Sequence, residues 1–250
     1  MQIYTHTLPG GAQLIGYLRD RTVEMPAFNT RPAILILPGG GYAWCSKREA
    51  DPVAMQFLQA GYNVFTLYYT CRSDETVPAL RWQPLIDAAG AILHIRRNAE
   101  QFGTDPAKIA ICGFSAGGHL ALSGAVLDIP GKTAQQRPNA ADPGLPRSSR
   151  QGSLPSRGSF VQLAGSEDTA AQQVFTLEDK VNADTPPVFV WHTMEDKTVP
   201  VENPRFSCWP PCGGRACRAR HICSRRALTA PASVPPKWMP ADPHRAHWVA

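Results

Sequence analysis

KIAICGFSAGGHLAL, residues 108–122, decides the fold of this chain. Its apolar start, residues 108–114, predicts a buried strand, and residues 116–127 predict a helix directly after it. Ser115 sits between the two elements, inside the pattern Gly-x-Ser-x-Gly. A strand that turns at once into a helix crowds the turn, so the flanking positions must be small. The pattern therefore predicts an exposed serine near the positive end of a helix dipole.

The segments around this stretch alternate between strand and helix patterns. Runs rich in β-branched and aromatic residues predict strands. Segments with an early Pro, apolar residues at helical spacing and a closing Gly predict helices. The predicted strands are 2–8 and 12–20, joined as a hairpin, then 33–37, 62–69 and 188–192, and the predicted helices are 51–61 and 84–102. This alternation favours an α/β fold whose mostly parallel sheet is covered on both faces.

A glycine series follows the apolar strand at 33–37, where residues 37–44 read LPGGGYAW. Glycines let the backbone approach a ligand closely, and their N–H groups can point at a negatively charged oxygen. Alternatively, the glycines could form a plain turn without a catalytic role. The position of the series, about 75 residues before Ser115, favours the oxyanion loop of Gly-x-Ser-x-Gly enzymes.

A carboxylate follows the predicted strand at 188–192. Asp196 lies in the loop after this strand, where it could orient a histidine. An isolated Asp before a Val-Pro step is more typical of a turn. The chain order, with Ser115 first and the Asp after it, favours the catalytic interpretation.

Three segments together resemble the small α/β-hydrolase esterases, which are related to acetyl-xylan and feruloyl esterases and to the prolyl-oligopeptidase catalytic domain. They are LPGGGY (37–42), CGFSAGGHLA (112–121) and PPVFVWHTMEDKTVPVEN (186–203), and the resemblance extends over about 1–140 and 157–203. The resemblance implies an α/β-hydrolase three-layer sandwich with a mostly parallel sheet.

The resemblance also implies catalytic roles. Ser115 would be the nucleophile and Asp196 the acid, and the backbone N–H groups of Gly40 or Gly41 and of Ala116 would form the oxyanion hole. Many relatives carry a histidine, which braces the glycine loop, at the position where this chain has Pro38.

The general base is missing from its expected place. A serine without a base keeps its proton at neutral pH and is a poor nucleophile. In the family, a His-Gly pair follows one last strand, which predicts a histidine within 226–236, but that segment reads RALTAPASVPP. The remaining candidates are His221, His244 and His247, and none of them is followed by Gly.

Two segments depart from the family pattern. Residues 204–250 hold eight prolines, seven arginines and four cysteines, a composition that predicts no strand or helix, so we expect a sheet that is incomplete at its carboxyl-terminal end. Residues 141–156 form an aberrant segment where the family has a buried strand. The hydrolase domain is thus predicted over 1–203. The sharp borders suggest that both segments are frame-shifted, an idea that fails if the other reading frames encode neither an apolar strand nor a His-Gly pair.

The segment 204–250 also accounts for the positive net charge of the chain, because it holds eight Lys and Arg against one acidic residue, whereas the rest of the chain has 17 basic and 19 acidic residues. Zinc binding by its cysteines is one alternative, but their spacing lacks Cys-x-x-Cys pairs. Weak, salt-dependent binding of nucleic acid is another. The odd total of seven cysteines argues against a disulfide framework.

The sequence predicts a serine carboxylesterase that cleaves short acyl esters, with acetyl groups on sugars as candidate substrates, through an acyl-enzyme. An inactive homologue and a prolyl-oligopeptidase-like peptidase are the alternatives. No metal or organic cofactor, nucleic acid or membrane partner is expected, only a small-molecule ester. The absence of a leader or a long apolar run predicts a soluble, cytoplasmic protein. Oligomeric state leaves no signal in the sequence.

Overall fold

A single mixed sheet forms the centre of the protein. The computed structural model describes residues 1–74, 76, 78–144, 157–177, 180–193 and 219–224. The strands in these residues are β1 (Gln2–Thr7), β2 (Gln13–Leu18), β3 (Arg31–Leu37), β4 (Asn63–Tyr68), β5 (Thr104–Phe114), β6 (Ala140–Gly144), β7 (Val188–Thr193) and β8 (Ala219–Ser224). They lie in the order β1-β2-β4-β3-β5-β6-β7-β8. Strand β2 pairs antiparallel with β1 and β4, and every other pair is parallel. The predicted hairpin and mostly parallel sheet are confirmed.

Helices connect these strands. They are α1 (Asp51–Gln59), α2 (Gln83–Arg97), α3 (Ala99–Phe102), α4 (Ala116–Val126), α5 (Arg157–Ala164) and α6 (Thr169–Gln173). The single helix predicted over 84–102 is divided at Asn98, whose side-chain amide donates a hydrogen bond to the carbonyl of His94 at 2.8 Å. The backbone of Asn98 leaves the helical region, with φ of −102° and ψ of 19°, so α2 ends there and α3 begins. Gly103 closes α3 in the left-handed conformation, as predicted, with φ of 60°.

Alternate residues of β3 divide the core into two layers. Ile34 and Ile36 join a cluster that includes Val53 and Phe57 of α1. Leu35 and Leu37 point the other way, into the cluster built with α2 and α4. All seven residues of β3 are buried, which is why its residues 33–37 form a continuous apolar run. Helices therefore cover both faces of the sheet, and the predicted three-layer α/β architecture is confirmed.

The structure corrects the expectation for the start of the aberrant segment. Residues 140–144, sequence AADPG, form β6 between β5 and β7, where the family strand was expected to be missing. Pairing on both sides supplies the main-chain hydrogen bonds, and the small side chains of Ala140 and Ala141 fit the buried surface. Pro143 cannot donate to the ladder, which is unusual for a central strand. Residues 145–156 lie outside the described part.

The structure also corrects the expectation that residues 204–250 contain no strand. Residues 219–224 form β8, which pairs parallel with β7 in the register Val190 to His221. Main-chain pairing to an edge does not require a long apolar run, so the composition of the segment did not reveal it. Residues 204–218 and 225–250 lie outside the described part. The boundary at 203, the reading-frame hypothesis and the incompleteness of the sheet beyond β8 stay predictions.

Candidate active site

Ser115 occupies a strained turn between β5 and α4. Its backbone has φ of 52° and ψ of −114°, a combination that costs a non-glycine residue about 1–3 kcal/mol. The surrounding chain holds it there, because the Ser115 N–H donates to the carbonyl of Gly144 at 3.1 Å and its carbonyl accepts from the N–H of His119 at 2.9 Å. Ser115 is half-buried, whereas the first turn of α4 behind it is buried. The predicted serine turn is thus present at the carboxyl end of a central strand.

The glycines around the serine are required by close backbone packing. A Cβ atom on Gly113 would lie 2.1 Å from the carbonyl oxygen of Gly117. A Cβ atom on Gly117 would lie 2.1 Å from the carbonyl oxygen of Leu37, the last residue of β3. No real side chain fits at such distances. The start of α4 therefore packs directly on the point where the glycine loop begins.

The glycine loop, defined as residues 38–46, lies against Ser115. A Cβ atom on Gly39 would be 2.7 Å from the carbonyl oxygen of Phe114 and 3.2 Å from the Cβ of Ser115. Gly40 and Gly41 have φ of 138° and 66°, values that favour glycine. The loop and the serine turn are therefore neighbours, as the sequence predicted.

The predicted oxyanion donors lie on these two neighbouring segments. Among the residues that the structure describes, none accepts a hydrogen bond from the backbone N–H of Gly40, Gly41 or Ala116. Ala116 is the first residue of α4, so its N–H has no partner within the helix. The role of these donors as an oxyanion hole stays a prediction.

Two side chains brace the glycine loop, and neither of them was predicted from the sequence. Glu49 accepts a hydrogen bond from the Gly39 N–H to Oε2 at 2.7 Å. The buried Tyr69 hydroxyl donates to the carbonyl oxygen of Pro38 at 2.6 Å. The bond from Tyr69 thus holds the residue at which relatives are expected to carry a histidine. Neither residue belongs to a short motif, so only their contacts reveal the role.

His119 links the nucleophile helix to the glycine loop. Its Nε2 lies 2.8 Å from the carbonyl oxygen of Phe175, and its Nδ1 lies 2.7 Å from the Tyr42 hydroxyl. A carbonyl can only accept, so Nε2 carries the proton and Tyr42 donates to Nδ1. Burial lowers the pKa of His119 to about 4. With both ring nitrogens engaged, His119 acts as a structural bridge and not as a base.

The structure describes only one of the other predicted catalytic residues. Asp196, His244 and His247 lie outside the described residues. His221 lies within β8, so it does not follow the last strand as the family base does. The described part of the chain contains no group of three or more His, Cys, Asp and Glu residues arranged to hold a metal ion.

A buried carboxyl group in β6 was also not predicted from the sequence. Asp142 is 5% exposed, and its Oδ1 finds no hydrogen-bond partner among the residues that the structure covers. Burial raises its pKa to about 8. Asp142 pairs in register with Cys112 of β5. Burial therefore favours the uncharged form of this carboxyl.

Known proteins share this architecture. The BD-FAE family model matches residues 23–140. MGS-M1, an α/β-hydrolase enzyme from a Medee basin deep-sea metagenome library, is 33% identical, with a TM-score of 0.64 over 89% of this chain and 82% of its own. The chain belongs to the α/β-hydrolase esterases. An acetyl ester-xyloside bifunctional hydrolase from Caldicellulosiruptor lactoaceticus is 30% identical, with a TM-score of 0.65 over 80% of this chain and 73% of its own.

A curated relative of this α/β-hydrolase is much longer. Endo-1,4-beta-xylanase B of Butyrivibrio fibrisolvens is 36% identical over 203 residues, which span 76% of this chain. The match covers 30% of that protein's length.

Within the described residues, no helix has the length and apolar character needed to cross a membrane.

Proposed function

We propose that this chain is a serine carboxylesterase that hydrolyses short acyl esters through an acyl-enzyme at Ser115. The observation that carries the proposal is the strained backbone of Ser115, at φ of 52°, next to a loop in which the N–H groups of Gly40 and Gly41 have no partner among the described residues. A position that costs free energy is retained when the surrounding structure enforces it, and such positions concentrate at active sites.

The reaction proceeds in two stages. The Ser115 hydroxyl attacks the acyl carbonyl while a base takes its proton, and the N–H groups of Gly40 or Gly41 and of Ala116 stabilise the oxyanion. The intermediate expels the alcohol, which receives the proton back from the base. Water then releases the acid from the acyl-enzyme by the same steps. We propose Asp196 as the residue that orients the base.

The base is proposed from the three remaining candidates, His221, His244 and His247. His119 is unsuitable because the Phe175 carbonyl and the Tyr42 hydroxyl occupy both of its ring nitrogens. Replacing each candidate by Ala identifies the base as the variant that loses turnover while retaining Ser115. If no single replacement affects turnover, none of the three is the base.

Acetyl groups on carbohydrate are the proposed substrates. The relatives named for acetyl ester-xyloside and xylan hydrolysis support this choice. Trp44 also supports it, because its side chain is 64% exposed on the glycine loop and offers a flat apolar face that can stack on a sugar ring. Trp44→Ala should raise KM for an acetylated xylo-oligosaccharide and leave KM for p-nitrophenyl acetate nearly unchanged. Equal effects on both substrates would contradict the sugar-stacking role.

Hydrolysis of p-nitrophenyl acetate by the whole chain tests the proposal. Ser115→Ala should abolish turnover, whereas Ser73→Ala, at an exposed serine, should not. Absence of turnover in the folded wild-type chain would favour the second candidate, an inactive homologue. That candidate is supported by the lack of a His-Gly pair after the acid. The cytoplasmic location stays a prediction.

A further inference from the structure

Two cysteines that are 26 positions apart in the sequence meet beside the glycine loop. Cys45 belongs to the loop, and Cys71 lies three residues beyond the end of β4. Their Sγ atoms are 3.7 Å apart, and both residues are half-buried. A disulfide needs an S–S distance of about 2.05 Å, so side-chain rotation and a small loop movement can join them.

The two thiols are chemically different. A hydrogen bond from Cys71 lowers the pKa of Cys45, because it stabilises the Cys45 thiolate. The same interaction, together with burial, raises the pKa of Cys71. Cys112 is 2% exposed in the core, and burial raises its pKa. Cys45 is therefore the better nucleophile of the pair, and Cys112 is an unreactive internal reference.

We propose that Cys45 and Cys71 form an oxidisable dithiol, which a low-molecular-weight disulfide such as oxidised glutathione converts into an intramolecular disulfide. The Cys45 thiolate attacks one sulfur of the oxidant, forming a mixed disulfide and releasing one glutathione thiolate, which takes up a proton. Cys71 then loses its proton and attacks the Cys45 sulfur, which releases the second glutathione. The protein loses two hydrogens, and the oxidant is reduced to two thiols.

Backbone contacts connect this pair to the site. Next to Cys45, the Ser46 N–H donates to the carbonyl of Gly39 at 2.8 Å. Next to Cys71, the Arg72 N–H donates to the carbonyl of Tyr42 at 2.8 Å. Closing the disulfide shortens the sulfur separation by roughly 1.6 Å and draws these segments together. We expect the loop glycines to move relative to Ser115 and kcat to fall several-fold, an effect that rests on the proposed esterase function.

Peptide mapping of the full chain tests the modification without requiring activity. The folded protein is incubated with oxidised glutathione, then unfolded in denaturant, alkylated and digested without reduction. The expected product is a cross-linked pair of peptides that contain Cys45 and Cys71, while Cys112 is recovered as the alkylated thiol. Dithiothreitol should reverse the cross-link. In Cys71→Ser, Cys45 should stop at the glutathione adduct.

Two results would overturn the proposal. One is a wild-type chain in which Cys45 and Cys71 both stay reduced under these conditions. The other is a Cys45–glutathione adduct that persists although Cys71 is present. If the cross-link forms but the reduced chain fails to hydrolyse p-nitrophenyl acetate, the dithiol is supported and the esterase proposal fails.

Discussion

The Tyr42 hydroxyl lies 2.7 Å from Nδ1 of His119, so a single buried hydrogen bond joins the glycine loop to the helix that begins after Ser115. Both side chains are at most 2% exposed, and the second ring nitrogen of His119 is held by the Phe175 carbonyl at 2.8 Å. The position of the predicted oxyanion donors relative to Ser115 therefore depends on a neutral histidine in one defined tautomer.

Tyr42→Phe tests this bridge. The substitution leaves Nδ1 of His119 as a buried acceptor without a donor, so we expect the free energy of unfolding to fall by about 1–3 kcal/mol. Looser positioning of the glycine loop should lower kcat more than it changes KM. Urea unfolding and p-nitrophenyl acetate kinetics measure the two effects. Tyr62→Phe is the control, because Tyr62 is likewise a buried tyrosine but belongs to the other core cluster, which packs on α1. Equal losses in both variants would contradict the role of the bridge.

Glu49→Ala tests the brace on Gly39. Without the Oε2 acceptor, the Gly39 N–H loses its partner, and we expect a roughly 10-fold loss of kcat, about 1.4 kcal/mol of transition-state stabilisation. KM should change little, because Glu49 acts through the loop. Glu49→Gln retains a side-chain oxygen and should recover most of the activity. Glu24→Ala, at an exposed glutamate, serves as the control. Failure of Gln to restore kcat would mean that the charge of Glu49, and not its acceptor, is what matters.

Asp142 should make stability fall as pH rises. Burial raises its folded-state pKa from 3.8 to about 8. Between these two pH values the carboxyl is ionised in the unfolded chain and protonated in the folded chain. The unfolded state then binds fewer protons than the folded state, and the free energy of unfolding drops by up to roughly 1.4 kcal/mol per pH unit between about pH 4 and pH 8.

Asp142→Asn removes this titration. The stability difference between the variant and wild type should therefore grow in favour of the variant from pH 5 to pH 8, as measured by urea unfolding. Asp184→Asn, at an exposed carboxyl, should show no such trend. A difference that is constant with pH would show that Asp142 is ionised in the folded state.

Gly117→Ala and Gly90→Ala should have opposite effects on stability. A methyl group at Gly117 would lie 2.1 Å from the Leu37 carbonyl oxygen, so we expect a loss of about 3 kcal/mol. A Cβ atom on Gly90, inside α2, would meet no atom within 4 Å, so the higher helix propensity of Ala should add about 0.5–1 kcal/mol. Thermal unfolding compares the two variants. A neutral Gly117→Ala would contradict the close packing of α4 on the glycine loop.

The sequence predicts the centre of the fold well because strong local patterns coincide with burial there. Strands β3 and β4 are mostly apolar, and all of their residues except the last one of β4 are buried. Ser115 is predictable because few sequences other than Gly-x-Ser-x-Gly fit so tight a strand-to-helix turn. In these places local preference and tertiary packing agree.

Elsewhere, tertiary contacts override the local pattern. AADPG is a poor strand sequence, yet β6 forms because β5 and β7 pair with it on both sides. The predicted helix is divided where the backbone of Asn98 leaves the helical region, which the apolar spacing of residues 84–102 does not indicate. Likewise, the contacts of Glu49 with Gly39 and of Tyr69 with Pro38 join residues that lie 10 and 31 positions apart, which periodicity cannot reveal.

Covalent labelling with a fluorophosphonate tests the central claim most directly, because the reagent reports an activated serine whatever the natural ester is. The folded chain is labelled, digested and mapped by mass spectrometry, with Ser115→Ala and Ser73→Ala treated in parallel. We predict one phosphonylated peptide that contains Ser115, unchanged in Ser73→Ala and absent in Ser115→Ala. An unlabelled Ser115 in the folded wild-type chain, or equal labelling of the Ser115→Ala variant, would contradict the assignment of Ser115 as the nucleophile.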